Sequence, residues 1–307
     1  MIFAALFLCA VSFAESKTLA VQIALDRAGY SCNAIDGQWG KKSQSALERY
    51  CGANGLAVPA TPEEAHDILF GGAPPGFVTA AVRSSDIAAL VKMPSSPAEK
   101  AKLDCMGYET VLEMFAERCH LTKRSLERLN PGLQWPSPPA GTLITMPAFP
   151  SIEEELSAWP RGAKGAPPRP DAALVRISIS RFEITAYGRD GRILGLYPCS
   201  IAEDKAKLPP HGELKIVSRI ANPNYTYTPD RGAGGGRRGR HVFPPGPRCP
   251  VGVAWLGLNL PGYGIHGTPR PESIGRAESH GCFRLSNWNA ARLYALCPVG
   301  TRVVVEH

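Results

Sequence analysis

No stretch of this chain holds the ~20 consecutive apolar residues that a helix needs to cross a bilayer, which excludes an integral helical membrane protein. No Cys-x-x-Cys pair occurs, so zinc ribbons and thioredoxin-like redox motifs lose their signature. Charged residues reach only 20% against 44% hydrophobic ones, a balance that permits packed cores and argues against a disordered or coiled-coil chain. Arg237, Arg238 and Arg240 stand among glycines without interleaved aromatics, unlike a surface on which nucleic-acid bases stack.

What is present points outward from the cytoplasm. Met1 to Ala14 is an apolar stretch followed at once by Glu15, Ser16 and Lys17, the outline of a short secretory signal. Small residues at Ser12 and Ala14 suit cleavage after Ala14, although no basic residue precedes the apolar run; a lipoprotein signal at Cys9 is disfavoured by the large Leu8. Export to the periplasm or cell wall is the expectation. Nine cysteines stand at positions 9, 32, 51, 105, 119, 199, 249, 282 and 297, and eight remain once the signal is removed. In an oxidising compartment such dispersed cysteines read as structural disulfides, with buried free thiols as the other reading. The net charge of +7 is uneven: residues 171–307 carry 18 Lys/Arg against 10 Asp/Glu. For an exported protein this surplus suits an anionic envelope polymer.

A length of 307 residues fits two or three domains, and the 31 glycines and 29 prolines imply many turns and linkers. Over residues 18–57, Leu19, Val21, Ile23, Ala24 and Leu25 give a helical apolar face that Gly29 stops, and a second helix is expected from Lys42 to Tyr50. The turn Ile35-Asp36-Gly37-Gln38-Trp39-Gly40 lies between them, and this pattern resembles the small all-α peptidoglycan-binding domain. Residues 58–102, rich in Pro, Gly and Ser, read as a connector with some local helix. Over 103–148, a helix at Thr110 to Glu117, a helix at Ser125 to Leu129, the stop Asn130-Pro131-Gly132 and then Gly141-Thr142-Leu143 and Met146-Pro147 resemble the α+β LysM module, a βααβ unit that binds glycan. These two resemblances imply intradomain pairs Cys32 with Cys51 and Cys105 with Cys119, with Cys105 at the first LysM strand. Residues 149–170, with five prolines, read as a semi-rigid linker.

From residue 171 onward the period changes to two. Val175, Ile177 and Ile179 alternate with polar residues, as do Phe182, Ile184 and Ala186, and Gly188-Arg189-Asp190-Gly191 turns the chain into Ile193 to Tyr197. Further strands are expected at Leu214 to Val217, Val253 to Leu256 and Val303 to Val305, with a helix from Trp288 to Leu296, so the sheet is mostly antiparallel.

The strongest chemical signal is Tyr263-Gly264-Ile265-His266-Gly267-Thr268 followed by Ser279-His280-Gly281-Cys282-Phe283-Arg284. A nucleophilic cysteine needs a base to take its proton, amides to hold the oxyanion and small neighbours that admit a carbonyl. Cys282, His266 and Gly281 can meet those needs. A cysteine that is only a disulfide partner and a zinc site on His266, His280 and Cys282 are the competing readings, the latter needing a distant fourth ligand such as His211.

These residues resemble the mostly-β catalytic domain of YkuD-type L,D-transpeptidases, with further agreement at Pro210-His211-Gly212, Asn222-Pro223, Pro250-Val251-Gly252 and Ser286-Asn287-Trp288. The resemblance implies a sandwich-like fold over 171–307 and a reaction without cofactor. By position, Cys282 is the nucleophile, His266 the general base and acid, and the Gly267 carbonyl orients the imidazole. Ser279, His280, Gly281 and Arg284 support the cleft and oxyanion site, and Tyr263 and Thr268 line the substrate side. The implied partners are peptidoglycan glycan and stem peptides: the enzyme cleaves after the third residue of a tetrapeptide, releases D-alanine and passes the acyl group to an amine. A protein lysine and water are alternative acceptors, the latter giving an L,D-carboxypeptidase, and a non-catalytic wall anchor is the reading from another class. Arg248-Cys249 departs from the family, where asparagines commonly precede Pro-Val-Gly. Arg231 to Arg240 reads as a lid or a solvated loop. Cys282 is expected to be a free thiol of low pKa.

Overall fold

The computed structural model describes residues 16–157, 171–209, 212–229, 239–279 and 281–306. The expected signal segment, most of the Pro-rich linker, Pro210, His211, His280 and residues 231–238 of the expected lid lie outside the described residues. Among those described, no helix is long and apolar enough to cross a membrane.

The described residues open with α1 (Lys17–Arg27) and α2 (Lys41–Asn54). Ser16 caps α1 by accepting from the Leu19 amide, and Gly29 turns the chain away at φ +88°. Residues 58–102 are more than the expected connector. They hold α3 (Pro62–Leu69), β1 (Phe77–Ala81), α4 (Ser84–Ala88) and α5 (Pro97–Lys100). Pro62 occupies the first turn of α3, where a missing N–H is harmless, and Thr61 caps it; proline there starts a helix and does not mark a linker.

Next come α6 (Val111–Arg118), α7 (Lys123–Leu129) and β2 (Leu143–Pro147), with Thr110 and Thr122 capping the two helices through their hydroxyls. β1 and β2 pair antiparallel, Phe77 opposite Pro147 and Ala81 opposite Leu143. The strand that pairs with β2 therefore lies ahead of 103–148, with α4 and α5 as well as α6 and α7 between the two, so that βααβ describes only β1, α6, α7 and β2, and the expectation of a strand at Cys105 is corrected. Asn130 stitches α7 to β2, donating to the Thr145 carbonyl at 2.8 Å and accepting from its amide at 2.7 Å. The expected linker also begins as structure: α8 (Ile152–Ser157) places Leu156 in the core of the last domain.

That domain contributes β3 (Leu174–Ser178), β4 (Glu183–Tyr187), β5 (Ile193–Pro198), β6 (Ile201–Ala202), β7 (Gly212–Ala221), β8 (Tyr225–Tyr227), β9 (His241–Phe243), β10 (Ala254–Leu258), β11 (Gly264–His266), β12 (Ala277–Ser279), β13 (Phe283–Arg284), α9 (Asn287–Leu296) and β14 (Arg302–Glu306). Eight strands form one sheet in the order β13-β11-β10-β7-β14-β3-β4-β5. The sandwich-like arrangement expected from the resemblance is thus a continuous sheet: Gly212 to Lys215 of β7 pair with β14 and Ile216 to Ala221 with β10. Only β13 with β11 and β14 with β3 run parallel within it. α9 is buried along almost its whole length and shares a core with Val175, Ile177, Leu256 and Val303.

The N-terminal units are docked on this domain, not strung beside it. Gly29 and Ser31 continue the sheet past β5, with the Leu196 amide donating to Gly29 at 2.8 Å and the Ser31 amide to Leu196 at 2.9 Å. This covers an edge that would otherwise expose its backbone groups. Arg49 pairs with the buried Glu183 at 2.9 Å. Asp26, fully buried at the end of α1, accepts from Arg292 of α9 and from His120 Nδ1 at 3.1 Å, so one carboxylate joins three parts of the chain.

All eight described cysteines are free thiols. Cys119 is buried in the βααβ core with its thiol toward the Ala116 carbonyl, whereas Cys105 is exposed beside Gly246, which corrects the pairing of those two. Cys32 and Cys51 share one core, also unbridged.

Candidate active site

Two short strands bring the chemistry together. β11 and β13 pair in parallel with Ile265 opposite Phe283 and His266 opposite Arg284. Cys282, one residue before Phe283, lies level with Gly264, whose backbone hydrogen-bonds the thiol. His266 is two residues beyond Gly264 and therefore on the same face of the strand. The Cys282 thiol also donates to the Gly262 carbonyl at 3.4 Å.

His266 is buried, and its Nδ1 donates to the Gly267 carbonyl at 2.7 Å. A carbonyl facing Nδ1 fixes the proton there, leaving the Nε2 lone pair to act as acceptor. Burial lowers the imidazole to about 4, with the Arg284 charge pushing the same way and the Gly267 hydrogen bond opposing. Burial pushes the Cys282 thiol up, against the Gly264 hydrogen bond and Arg284. The expected low-pKa thiol is corrected: both groups rest neutral, because desolvation outweighs the nearby positive charge.

Gly281 adopts φ +147°, a conformation side chains rarely take, and a Cβ built there would meet the Tyr263 ring at 3.8 Å. Arg284 exchanges both backbone hydrogen bonds with Ser200 at 2.9 Å, which ties β13 to the segment before β6. Ser279 ends β12 opposite Ala202. Thr268, expected on the substrate side, is buried with its hydroxyl accepting from the Arg270 amide at 3.3 Å; it shapes the turn instead.

Sequence reasoning missed Trp255. It sits opposite His266 in the β10–β11 register and stacks on the imidazole at 5.6 Å between centroids. Its indole fills the space that side chains at Gly257 and Gly264 would need. The alternation Trp255-x-Gly257 opposite Gly264-x-His266 carries the signal, legible only once the strands are paired. The unusual Arg248 also finds its reason: it bridges Glu109 at 2.7 Å and Glu113 at 2.8 Å, clamping the βααβ unit beside the site.

The family model of the YkuD L,D-transpeptidase catalytic domain matches residues 172–305. YkuD of Bacillus licheniformis, assigned as an L,D-transpeptidase, is 31% identical over 194 residues, covering 63% of this chain and 92% of that protein. YqjB of Bacillus subtilis, assigned likewise, is 32% identical over 153 residues, covering 48% of this chain and 77% of that protein. The solved L,D-transpeptidase 3 of Mycobacterium tuberculosis with a faropenem-derived adduct aligns at 19% identity with a TM-score of 0.36, over 44% of this chain and 60% of that one. A likeness that slight carries no weight for the fold.

Proposed function

This chain belongs to the YkuD family of L,D-transpeptidases and is a cysteine-dependent acyltransferase of peptidoglycan, and we propose that Cys282 is its nucleophile and His266 its general base and acid. The observation that carries this reading is the parallel register of β11 and β13, which sets Cys282 level with Gly264 and puts His266 on the same strand face with Nε2 unprotonated.

Because thiol and imidazole both rest neutral, the proton passes from Sγ to Nε2 as the sulfur attacks the carbonyl of the third stem residue. The tetrahedral oxyanion is held by the amides of Gly281 and Cys282, with the Arg284 charge nearby. His266 returns the proton to the amine of the departing D-alanine, leaving a thioester. An acceptor amine then gives a proton to His266, attacks the thioester and frees the thiol. Tyr263, half-buried beside Gly281, lines the donor side. Ser279 and His280 support the loop. The helical and βααβ units hold the wall polymer near the site, and the chain works outside the cytoplasm after export.

Mass spectrometry of muropeptides incubated with the purified protein tests this. The wild type is expected to release D-alanine and form crosslinked product, and Cys282→Ala to do neither. Product from Cys282→Ala at the wild-type rate would sink the assignment.

A further inference from the structure

We propose that Glu117, on α6 of the βααβ unit, is a positioning residue for His266, acting through Asn287 and the Gly267 carbonyl; this rests on His266 being the base. Asn287 opens α9 and is fully buried. Its Nδ2 donates to Glu117 Oε2 at 3.0 Å, to Oε1 at 3.2 Å and to the Pro247 carbonyl at 2.9 Å. Acceptors on every side of the nitrogen fix the amide's orientation. The oxygen Oδ1 must then point the other way, where it has no hydrogen-bond partner.

That oxygen is wedged against two glycines. A Cβ on Gly252 would lie 2.2 Å from Oδ1, and one on Gly267 2.4 Å from it. Gly267 in turn supplies the carbonyl that receives His266 Nδ1. An amide oxygen left buried and unpaired is unfavourable, so the wedge is retained at the expense of stability beside the reacting group. Removing the hold on Nδ2 lets the amide turn toward a partner, and the Gly267 peptide with it.

Glu117 can switch that hold. It also accepts from the Tyr108 hydroxyl at 2.6 Å, and it lines a cavity of about 240 Å³ that gives water a route to the carboxyl. Burial raises it to about 7, with Tyr108 and Asn287 opposing and Glu113 and Glu153 adding to the rise. Lys123 and Glu272 face the same cavity, and Glu113 is paired with Arg248. Protonation removes an acceptor from Asn287, whereas His266 near 4 and Cys282 above its ordinary value stay neutral across the same range. Of these three groups only Glu117 ionises near neutrality, and the variants below separate its limb from that of any other group.

The test uses the full chain as wild type, Glu117→Gln and Tyr108→Phe, with kcat and KM measured on soluble muropeptides from pH 5 to 9. The His266 Nδ1–H proton resonance is followed in parallel by NMR. Wild-type kcat should rise through a limb near 7 at constant KM, and the resonance should sharpen along the same curve. In Glu117→Gln the limb should vanish and kcat at pH 8 fall roughly 10-fold, as for a small misplacement of the base. Tyr108→Phe removes a donor that stabilises the carboxylate, so its limb should move to higher pH; this variant decides alone if Glu117→Gln does not fold. An unchanged limb in either variant, or a limb carried by KM, overturns the proposal. A wild type without turnover whose resonance still follows Glu117 would sink the transpeptidase assignment and leave the positioning role standing.

Discussion

Replacing Asp26 by alanine should destabilise the whole chain, not only its first helix. Arg292 reaches Asp26 from α9 with its side chain only 11% exposed, and its other carboxylate neighbour, Glu155, is 4.0 Å away. His120 also gives Nδ1 to Asp26, while its ring is stacked between Phe149 at 4.1 Å and Trp288 at 5.1 Å. Asp26→Ala strands a buried guanidinium and an imidazole N–H together. Removing one partner of such a pair costs about 3–5 kcal/mol, whereas replacing both by apolar groups of similar volume is close to neutral. Against a total of roughly 5–15 kcal/mol for a folded protein, the single change takes a large share. Urea unfolding followed by tryptophan fluorescence should therefore give one transition, shifted to lower urea in Asp26→Ala and restored toward wild type in Asp26→Leu with Arg292→Met. A loss below ~1 kcal/mol would refute the reasoning, as would two transitions of which only the first moves, since that would mean α1 merely leans on the catalytic domain.

Trp255→Ala should expose His266 to water and relieve the burial that lowers it, so in the Glu117→Gln background, where the limb near 7 is absent, the remaining acidic limb of kcat/KM should climb from about 4 toward the ordinary 6.5; an unmoved limb means another group excludes the water. His120 is likewise held near 4 by burial, so the unfolded chain takes up its proton before the folded one. Its contribution is complete above 6.5 and is lost as pH falls toward 4, a difference of about 3 kcal/mol at ~1.4 kcal/mol per pH step. Asn accepts the positive φ of 58° at this position and keeps a donor toward Asp26, so His120→Asn should show a smaller loss between pH 6.5 and 4.5 in urea midpoints; an identical loss contradicts the assignment. Thiol labelling of the native protein should modify Cys105 and Cys282 and spare the six buried cysteines, and intact-mass counts well above two would contradict those cores.

The candidate site could be proposed from the sequence because its chemistry is written locally. His266 and Cys282 lie 16 positions apart, and the glycines beside them mark close backbone approach whatever surrounds them. The strands from β3 to β5 follow from alternation for the same reason. β1 escaped because Phe77–Ala81 is short, ends in two alanines and buries no residue fully, so neither periodicity nor propensity sets it apart from the Pro- and Gly-rich sequence around it. The contacts that join the units escaped for a different reason: Glu117 to Asn287, Arg248 to Glu113 and Asp26 to Arg292 span 170, 135 and 266 positions. Nothing in a carboxylate's own neighbourhood names a partner that far along the chain. The cysteine count misled because burial in apolar cores suits a thiol as well as a disulfide does.

β14 is the last strand of the described chain, and it lies in the middle of the sheet, between β7 and β3. On either side the hydrogen-bonding groups of its neighbours stay unpaired until Arg302 to Glu306 arrive. β13, β11, β10 and β7 can pair among themselves, as can β3, β4 and β5, but the two halves become one sheet only when β14 enters between them. The last described strand is thus the one that joins the two halves, and pairings of such long sequence range are the slow ones to form.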